Sequence, residues 1–271
     1  MRRKGRAPYM KRWLMRSMTE LSSRKSISRL TGRLAQSSIS RRFIPTFARM
    51  YSIEVQEAEK PLGEYSTLNE FFTRRLKPGV RAIDEAPDSL VSPVDALITG
   101  AGVIQAGTIF NIKGQDYTID ELLNRSPRTA SYVGGFCLVL YLSPTDYHRI
   151  HAPVAGAIVE REHVPGKVYP VNEFGLRHMK RVLSRNERLI TYIRHAGGEV
   201  AVVKVGAMNV SSIKYVDPHA KATTKGEELA YFEFGSTVVL LTEDHSFTLR
   251  GDLMPGKKVR MGESLGTLRK F

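Results

Sequence analysis

The chain has 271 residues, enough to bury a full core as one large domain or two small ones, and its 42% hydrophobic and 25% charged residues are ordinary for a globular protein. Its single cysteine, Cys137, excludes an intramolecular disulfide framework, and neither a run of about 18 apolar residues nor a secretory signal is visible, so we expect an intracellular protein. The net charge is +14, and residues 1–50 account for +13 of it with 14 Lys and Arg against one acid, so a densely anionic partner is expected for this segment only.

Residues 1–60 form a basic region in which apolar side chains follow the period of a helix. The stripes are Leu14, Met18 and Leu21; Ile27, Leu30 and Leu34; and Phe43, Phe47 and Met50. Basic amphipathic helices of this kind lie in a membrane interface, so we predict that residues 1–60 associate with an anionic membrane surface. A solvated face packed on the chain's own domain and a mitochondrial presequence are the alternatives. Nucleic acid is not expected as a partner, because no aromatic platform or known binding motif accompanies the charge.

Capping boxes and short apolar runs predict the elements that follow. Thr67-Leu-Asn-Glu70 begins a helical stripe that Lys77-Pro78-Gly79 should end, and Thr118-Ile-Asp-Glu121 begins a second helix. Short strands are predicted at 136–142, 157–162, 199–206, 210–215, 231–242 and 246–250. This pattern indicates an α+β fold, with a β-rich, barrel-sandwich-like core into which short helices are inserted.

Polar residues that can carry chemistry lie near two of these segments. Asp95 ends Ser92-Pro-Val-Asp95, and an aspartate in such a position usually only forms a turn. Asp146, His148 and His151 follow the apolar strand 136–142, and two histidines beside a carboxylate can act as acid and base near neutral pH. No metal is predicted, because zinc would need a third ligand and the chain has neither His-Glu-x-x-His nor a cysteine pair.

The strand predicted at 231–242 contains Gly235-Ser236-Thr237 at its centre. Glycine inside a strand often marks a bulge or a close approach of another backbone. A hydroxyl directly after that glycine lies next to a deformable peptide bond. The step is therefore either a feature of packing or a site at which the chain reacts with itself.

An aspartate, a histidine and a serine together suggest triad chemistry, in which the aspartate orients the histidine and the histidine takes the serine proton. Hydrolases normally place their serine in Gly-x-Ser-x-Gly at a turn from strand to helix. Ser236 instead continues into a strand. It is poorly placed to attack an outside acyl group and well placed to attack the carbonyl of Gly235.

Five motifs, in order from about residue 60 to the end, resemble the short prokaryotic form of the phosphatidylserine decarboxylase proenzymes. They are Asn69-Glu-Phe-Phe-Thr-Arg74, Ser92-Pro-Val-Asp95, Tyr147-His-Arg-Ile-His-Ala-Pro153, Val205-Gly-Ala-Met-Asn-Val-Ser-Ser-Ile213 and Phe234-Gly-Ser-Thr237. The chain departs from the family pattern at Phe234, where leucine is usual, and at Ala96 and Ser211, where glycine is usual or frequent.

The resemblance implies that the chain cuts itself. Asp95 would orient His151, and His151 would deprotonate Ser236 for attack on the Gly235 carbonyl. The ester formed by this acyl shift would then eliminate. The products would be a beta chain, residues 1–235, and an alpha chain, residues 236–271, whose first residue is a covalent pyruvoyl group made from Ser236.

The resemblance also implies a pyruvoyl-dependent carboxy-lyase, with residues 61–271 as the catalytic domain. The pyruvoyl ketone would condense with the amine of phosphatidylserine and take up electrons as CO₂ leaves, which would yield phosphatidylethanolamine. His148 would protonate the resulting carbanion, and Asp146 would assist.

The partners and rival functions follow from the same residues. The expected assembly is an alpha/beta heterodimer made from one chain, with a homo-oligomer of it left open, on the cytoplasmic side of a bacterial membrane or, alternatively, at a mitochondrial inner membrane. A lipid-acting serine hydrolase or acyltransferase, and a non-enzymatic lipid-surface binding module, remain the rival functions.

Overall fold

The computed structural model describes residues 32–105, 108–112, 115–171, 179, 181–207, 213–233 and 236–269. The apolar stripes predicted for residues 14–30 lie outside these ranges. Among the helices inside them, none is both long and apolar enough to cross a bilayer.

The elements are short helices and strands. The α-helices are α1 (Ile44–Met50), α2 (Leu68–Phe72), α3 (Ile119–Leu122), α4 (Thr129–Tyr132) and α5 (Val182–Arg185). Residues 32–36 are also helical, and 3₁₀ turns occupy Ser38–Phe43, Val55–Glu57 and Leu62–Glu64. The strands are β1 (Ser89–Val91), β2 (Ala96–Val103), β3 (Thr108–Ile112), β4 (Gln115–Thr118), β5 (Phe136–Leu142), β6 (Arg149–His151), β7 (Gly156–Val164), β8 (Arg188–His195), β9 (Gly198–Gly206), β10 (Ile213–Tyr215), β11 (Ala222–Thr223), β12 (Glu228–Phe232), β13 (Ser236–Thr242), β14 (Phe247–Leu249), β15 (Lys258–Val259) and β16 (Ser264–Leu268).

An eight-stranded antiparallel sheet, in the order β11-β7-β8-β9-β13-β5-β2-β15, forms the centre of the fold. Two three-stranded sheets, β1-β16-β14 and β10-β12-β6, and the hairpin β3-β4 accompany it. The prediction of an α+β, sheet-rich fold is confirmed, and β5 occupies the strand predicted at 136–142. The predicted barrel-like closure is wrong for the described chain, because the large sheet is open and ends at β11 and β15.

Strand β13 lies in the middle of that sheet, between β5 and β9. Its residues Val238 to Leu241 are almost wholly buried, and so is Cys137 on β5, which packs as a small core residue. Such a run of β-branched and aliphatic side chains favours a strand that is covered on both faces.

The single strand predicted at 231–242 is wrong. The chain forms β12 up to Phe232 in one three-stranded sheet and resumes as β13 at Ser236 in the large sheet. The chain therefore crosses from one sheet to the other between Phe232 and Ser236, and residues 234 and 235 of this crossing lie outside the described ranges. Periodicity in the sequence does not reveal such a change of sheet.

Both capping boxes are confirmed. The hydroxyl of Thr67 accepts the Glu70 backbone N–H at 3.1 Å, and that of Thr118 accepts the Glu121 N–H at 3.2 Å. Helix α2 ends earlier than the predicted stop at Lys77, because the Arg74 N–H already bonds to the Phe71 carbonyl in a tighter turn. Phe71 then packs in a small separate core with Ile44, Ala48, Ile53, Ala58 and Tyr65, so the predicted boundary at residue 60 falls inside one packed cluster.

Candidate active site

The loop after β5 is folded by the side chain of Asp146. Its Oδ2 atom accepts both the backbone N–H and the hydroxyl of Ser143, each at 2.7 Å. Burial raises the pKa of this carboxyl group, and the bonds from Ser143 oppose that shift. The Asp146 backbone carbonyl accepts a hydrogen bond from His148 Nδ1 at 2.8 Å. In this structure Asp146 therefore shapes the loop and orients His148 through its main chain.

His148 is fully buried and neutral. Burial lowers its pKa to about 3, and its ring centroid lies 4.1 Å from that of Phe72 on α2. A carbonyl can only accept, so the hydrogen bond to Asp146 fixes the proton on Nδ1. The Nε2 atom consequently carries a bare lone pair, and it has no hydrogen-bond partner in the described part of the chain.

His151, on β6, is held by hydrogen bonds at both ring nitrogens. Its Nδ1 atom donates to the Gly226 carbonyl at 2.7 Å, and its Nε2 atom lies 3.1 Å from the hydroxyl of Tyr147. Burial lowers the pKa of this ring as well, so Nε2 is the accepting atom and the Tyr147 hydroxyl donates to it. His151 is thus a neutral base whose lone pair is capped by a phenol.

Asp95 is buried in the turn before β2, but its carboxylate is bound to an arginine. Arg81 donates through Nε at 3.0 and 3.1 Å and through Nη2 at 2.6 Å, and the Met261 N–H adds a bond of 2.8 Å. The turn itself lies against β6, because the His151 backbone N–H bonds to the Pro93 carbonyl at 2.9 Å. Asp95 therefore neighbours His151, while its oxygens are committed to Arg81 and Met261.

Ser236 is the first residue of β13, and its neighbours belong to the same site. It pairs with Leu142, directly before the loop that carries His148, and with Gly206 at the end of β9. On the other side of the crossing, the Phe232 N–H bonds to the His148 carbonyl at 3.1 Å. Gly235 lies outside the described residues. The predicted scissile bond therefore lies between two segments that are each tied to the residues around His148.

Comparison with known proteins gives the family of the chain. A family model described as phosphatidylserine decarboxylase matches residues 68–267. Proteins named phosphatidylserine decarboxylase proenzyme align over nearly the whole chain. That of Geobacillus sp. (strain WCH70) is 42% identical over 261 residues, which cover 96% of this chain and 100% of the relative. Those of Anoxybacillus flavithermus and Bacillus thuringiensis are 44% identical over 259 residues and cover 96% and 95% of this chain and 97% and 98% of their own. The chain belongs to the phosphatidylserine decarboxylase family.

One buried side chain of the site is suited to proton transfer. A carbonyl cofactor that must exchange protons with a substrate needs a basic atom that is not already bonded, and His148 Nε2 is such an atom. The segments on either side of Ser236 are fixed to the His148 loop through Leu142 and Phe232.

Three further residues of the site were not predicted as site residues. Tyr147 and Arg74 lie inside the motifs that carry the family resemblance, so their positions were visible but their contacts were not. Arg81 belongs to no motif, and its pairing with Asp95, fourteen positions later and beyond strand β1, leaves no periodic signal.

Proposed function

We propose that this protein is a proenzyme that cuts itself between Gly235 and Ser236 and then decarboxylates phosphatidylserine to phosphatidylethanolamine and CO₂. Its membership of the family over residues 68–267 supports the reaction, and the proenzyme names of its relatives support the cut. The observation that carries the proposal is structural. The Phe232 N–H before the crossing bonds to the His148 carbonyl, Ser236 after it pairs with Leu142 at the start of the His148 loop, and His148 Nε2 has no hydrogen-bond partner among the described residues.

In the self-cleavage that we propose, His151 Nε2 accepts the Ser236 hydroxyl proton. The Ser236 oxygen bonds to the Gly235 carbonyl carbon, the C–N bond breaks, and the proton passes to the freed amine. Removal of the Ser236 α-proton then expels the Gly235 carboxylate, and water replaces the nitrogen, which leaves as ammonia. The Tyr147 hydroxyl must turn away from Nε2 first, since it occupies that lone pair at 3.1 Å.

Asp95 acts on this step indirectly. Its carboxylate holds Arg81 and the Met261 N–H, and its charge favours the protonated form of His151. Removal of the carboxylate would leave the Arg81 guanidinium with Glu57 as its remaining acid. We therefore propose that Asp95 supports His151 in two ways. Its negative charge favours the protonated ring, and its bonds to Arg81 and Met261 hold the turn that lies against β6.

In the decarboxylation that we propose, the pyruvoyl group supplies an electron sink, and His148 moves the proton. His148 is neutral with its proton on Nδ1, so Nε2 must first accept a proton before it can donate one. The substrate ammonium has to lose a proton before its nitrogen can react with a carbonyl, and in this proposal Nε2 receives it. The same proton can then be returned to the carbon from which CO₂ departs.

The basic region of residues 1–60, which we call the basic arm, supplies the contact with lipid in this proposal. Between residues 32 and 50, Phe43 is 59% exposed and Met50 is 70% exposed, and the large apolar side chains Leu34 and Ile39 are exposed as well. Exposed arginines at positions 33, 41, 42 and 49 accompany them. Apolar groups among arginines suit the interface of an anionic membrane, and we propose peripheral binding on the cytoplasmic side of a bacterial membrane.

Intact-mass spectrometry of the purified protein tests the cut. We expect two chains, 1–235 and 236–271, the smaller lacking a free N-terminal amine, together with CO₂ release from phosphatidylserine. Ser236→Ala should leave one uncut, inactive chain, and His151→Ala and Asp95→Ala should cleave far more slowly than the wild type. Ser264→Ala, which changes a serine of another sheet, should cleave normally.

The same measurement separates the rival functions. An uncut wild-type chain that hydrolyses or transfers lipid acyl groups would replace the decarboxylase by a serine hydrolase or acyltransferase. If the chain is uncut, has no activity on lipids and is unaffected by Ser236→Ala, the remaining function is that of a non-enzymatic lipid-surface binding module.

A further inference from the structure

Arg74 is a buried cation whose hydrogen-bond donors are unused. It is 5% exposed, and its Nε and Nη1 atoms have no hydrogen-bond partner within the described ranges. Its guanidinium lies over the ring of Phe71, with 5.2 Å from Cζ to the ring centroid. Burial lowers the pKa of the guanidinium, although its charge is retained. A buried charge with unbonded donors is costly to the fold, so its retention calls for a counterpart.

The carboxylates of Glu57 and Asp95, which attract the charge of Arg74, are bound to Arg81. Arg81 lies 2.8 Å from Glu57 and 2.6 Å from Asp95, and Arg75 pairs with Glu228 at 3.1 Å. These pairs leave Arg74 with long-range attraction to Glu57 and Asp95 but with no acceptor at hydrogen-bond distance among the described residues. The missing acceptor is consequently expected from a ligand.

Arg74 lies at the catalytic histidine and lines an open space. It follows α2, two residues after the Phe72 ring that packs on His148, and its charge further lowers the pKa of His148. It lines a cleft of about 400 Å³ together with Asp95, Asp146 and Tyr147. The other cations of this cleft are already satisfied, since Arg81 is paired and Lys258 and Arg260 are exposed to water.

We propose that Arg74 binds an oxyanion of the lipid head group, the phosphodiester, and so places the serine moiety at His148. This proposal rests on the proposed function, because it names the part of phosphatidylserine that the cleft holds. A guanidinium offers a planar fork of donors that matches two oxygens of one phosphate or carboxylate.

Phosphatidylserine carries two such groups, and the reaction favours the phosphodiester. As CO₂ leaves, the negative charge of the carboxylate passes to the rest of the substrate. An arginine bound to it would stabilise the starting state more than the transition state and would slow the reaction. The phosphodiester keeps its charge throughout, so an arginine bound to it positions the substrate without that penalty.

Kinetics of matched variants test the proposal. Arg74→Gln should be cleaved into two chains like the wild type and should lower kcat/KM for phosphatidylserine by about 10- to 100-fold, mostly through KM. Arg74→Lys should recover part of this loss, because it restores the charge without the fork. Arg75→Gln removes a neighbouring, largely exposed arginine that is paired with Glu228 outside the cleft, and it should leave both parameters near the wild-type values.

Binding of two soluble anions gives a readout besides activity. Dimethyl phosphate carries the phosphodiester without an amine, and N-acetylserine carries the carboxylate with its amine blocked, so neither can condense with a ketone. In the mature enzyme we expect dimethyl phosphate to raise the melting temperature and to compete with phosphatidylserine. Both effects should be lost in Arg74→Gln, and N-acetylserine should show no dependence on Arg74.

The proposal would be overturned if Arg74→Gln had the kcat and KM of the wild type, or if it bound dimethyl phosphate as the wild type does. Arg74-dependent binding of N-acetylserine alone would overturn the choice of phosphodiester. If neither Arg74 variant folds, failure of dimethyl phosphate to compete with substrate on the wild type decides against the proposal, and competition supports it. If the wild-type protein is neither cut nor active, the proposed function itself is refuted. Intact-mass spectrometry of the wild type distinguishes this outcome from a failure of the Arg74 proposal alone.

Discussion

His148 and His151 are three residues apart, and burial makes both neutral, yet different atoms are available on each. The lone pair of His151 is covered by the Tyr147 hydroxyl, whereas that of His148 meets no donor in the described chain. A capped base suits a step that must occur once in the life of the protein. An open base suits a proton transfer that is repeated in every turnover.

His148→Gln tests this division of roles. The variant should still be cut into two chains, because His151 is unchanged, but its decarboxylation should fall by about 100-fold or more. A variant that decarboxylates at the wild-type rate would remove His148 from the reaction, and a variant that is not cut would give it a role in self-cleavage.

The stability of this variant reports whether the ring is neutral in the native protein. The pKa of His148 is about 3 in the folded chain and ~6.5 when unfolded, so its contribution to stability is present above pH 6.5 and is lost as the pH falls. Below pH 6.5 the wild type should lose about 1.4 kcal/mol per pH unit more than His148→Gln, measured as the free energy of unfolding in urea.

At the scale of elements, α2 links a local sequence signal to the site. The Thr67 cap fixes the start of a five-residue helix, and the end of that helix sets the positions of Phe72 and Arg74 beside His148. Helix α3 has the same kind of cap, at Thr118, and none of its residues contributes to the site described here. The two caps therefore form a matched pair.

Thr67→Ala tests whether the cap of α2 affects activity as well as stability. It should cost about 1 kcal/mol of stability and also lower kcat/KM, because the start of α2 loses its anchor. Thr118→Ala should cost a similar amount, measured by urea unfolding, with kcat/KM unchanged. Equal kinetics in both variants would mean that packing alone holds α2 in place.

The elements that sequence predicts correctly are those with local causes. The caps at Thr67 and Thr118 need only residues three positions away, and the uninterrupted apolar run of β5 marks it as a buried strand. The split between β12 and β13 could not be predicted, because it depends on which distant strands each half meets. Strand β2 was missed since Gly100 and Gly102 interrupt its apolar pattern.

The same distinction applies to the site. Asp95, His148, His151 and Ser236 could be chosen as candidates from residue type and motif. The Arg81–Asp95 pair, the Tyr147 cap on His151 and the unpaired Arg74 depend on tertiary contacts, so no spacing in the sequence indicates them.

For the molecule as a whole, the basic arm is joined directly to the loop that carries His148. The Thr145 hydroxyl donates to the Tyr51 carbonyl at 2.9 Å, and the rings of Phe47, Phe72 and His148 form a contact series with centroid distances of 6.1 and 4.1 Å. A membrane bound by the arm would consequently lie close to the cleft. Lipid could enter that cleft without first leaving the surface.

Vesicle binding tests the arm. Binding to phosphatidylglycerol vesicles should fall steeply with salt, and neutralising Arg33, Arg42 and Arg49 with glutamine should weaken it by about 100-fold, at ~1 kcal/mol for each charge. Neutralising three exposed basic residues of the body, Arg125, Lys167 and Lys221, should change it little. Equal losses in the two triple variants would show that total charge alone sets the affinity.

The central position of β13 has a consequence for how the mature protein fails. The alpha chain would supply β13 to the middle of the large sheet, β15 to its edge, and β14 and β16 to a second sheet with β1. Once the bond before Ser236 is cut, unfolding also becomes dissociation, so the melting temperature depends on protein concentration. In the proposed scheme the reactive group arises only from the uncut precursor, so each heat-inactivated molecule would have to be replaced by new synthesis.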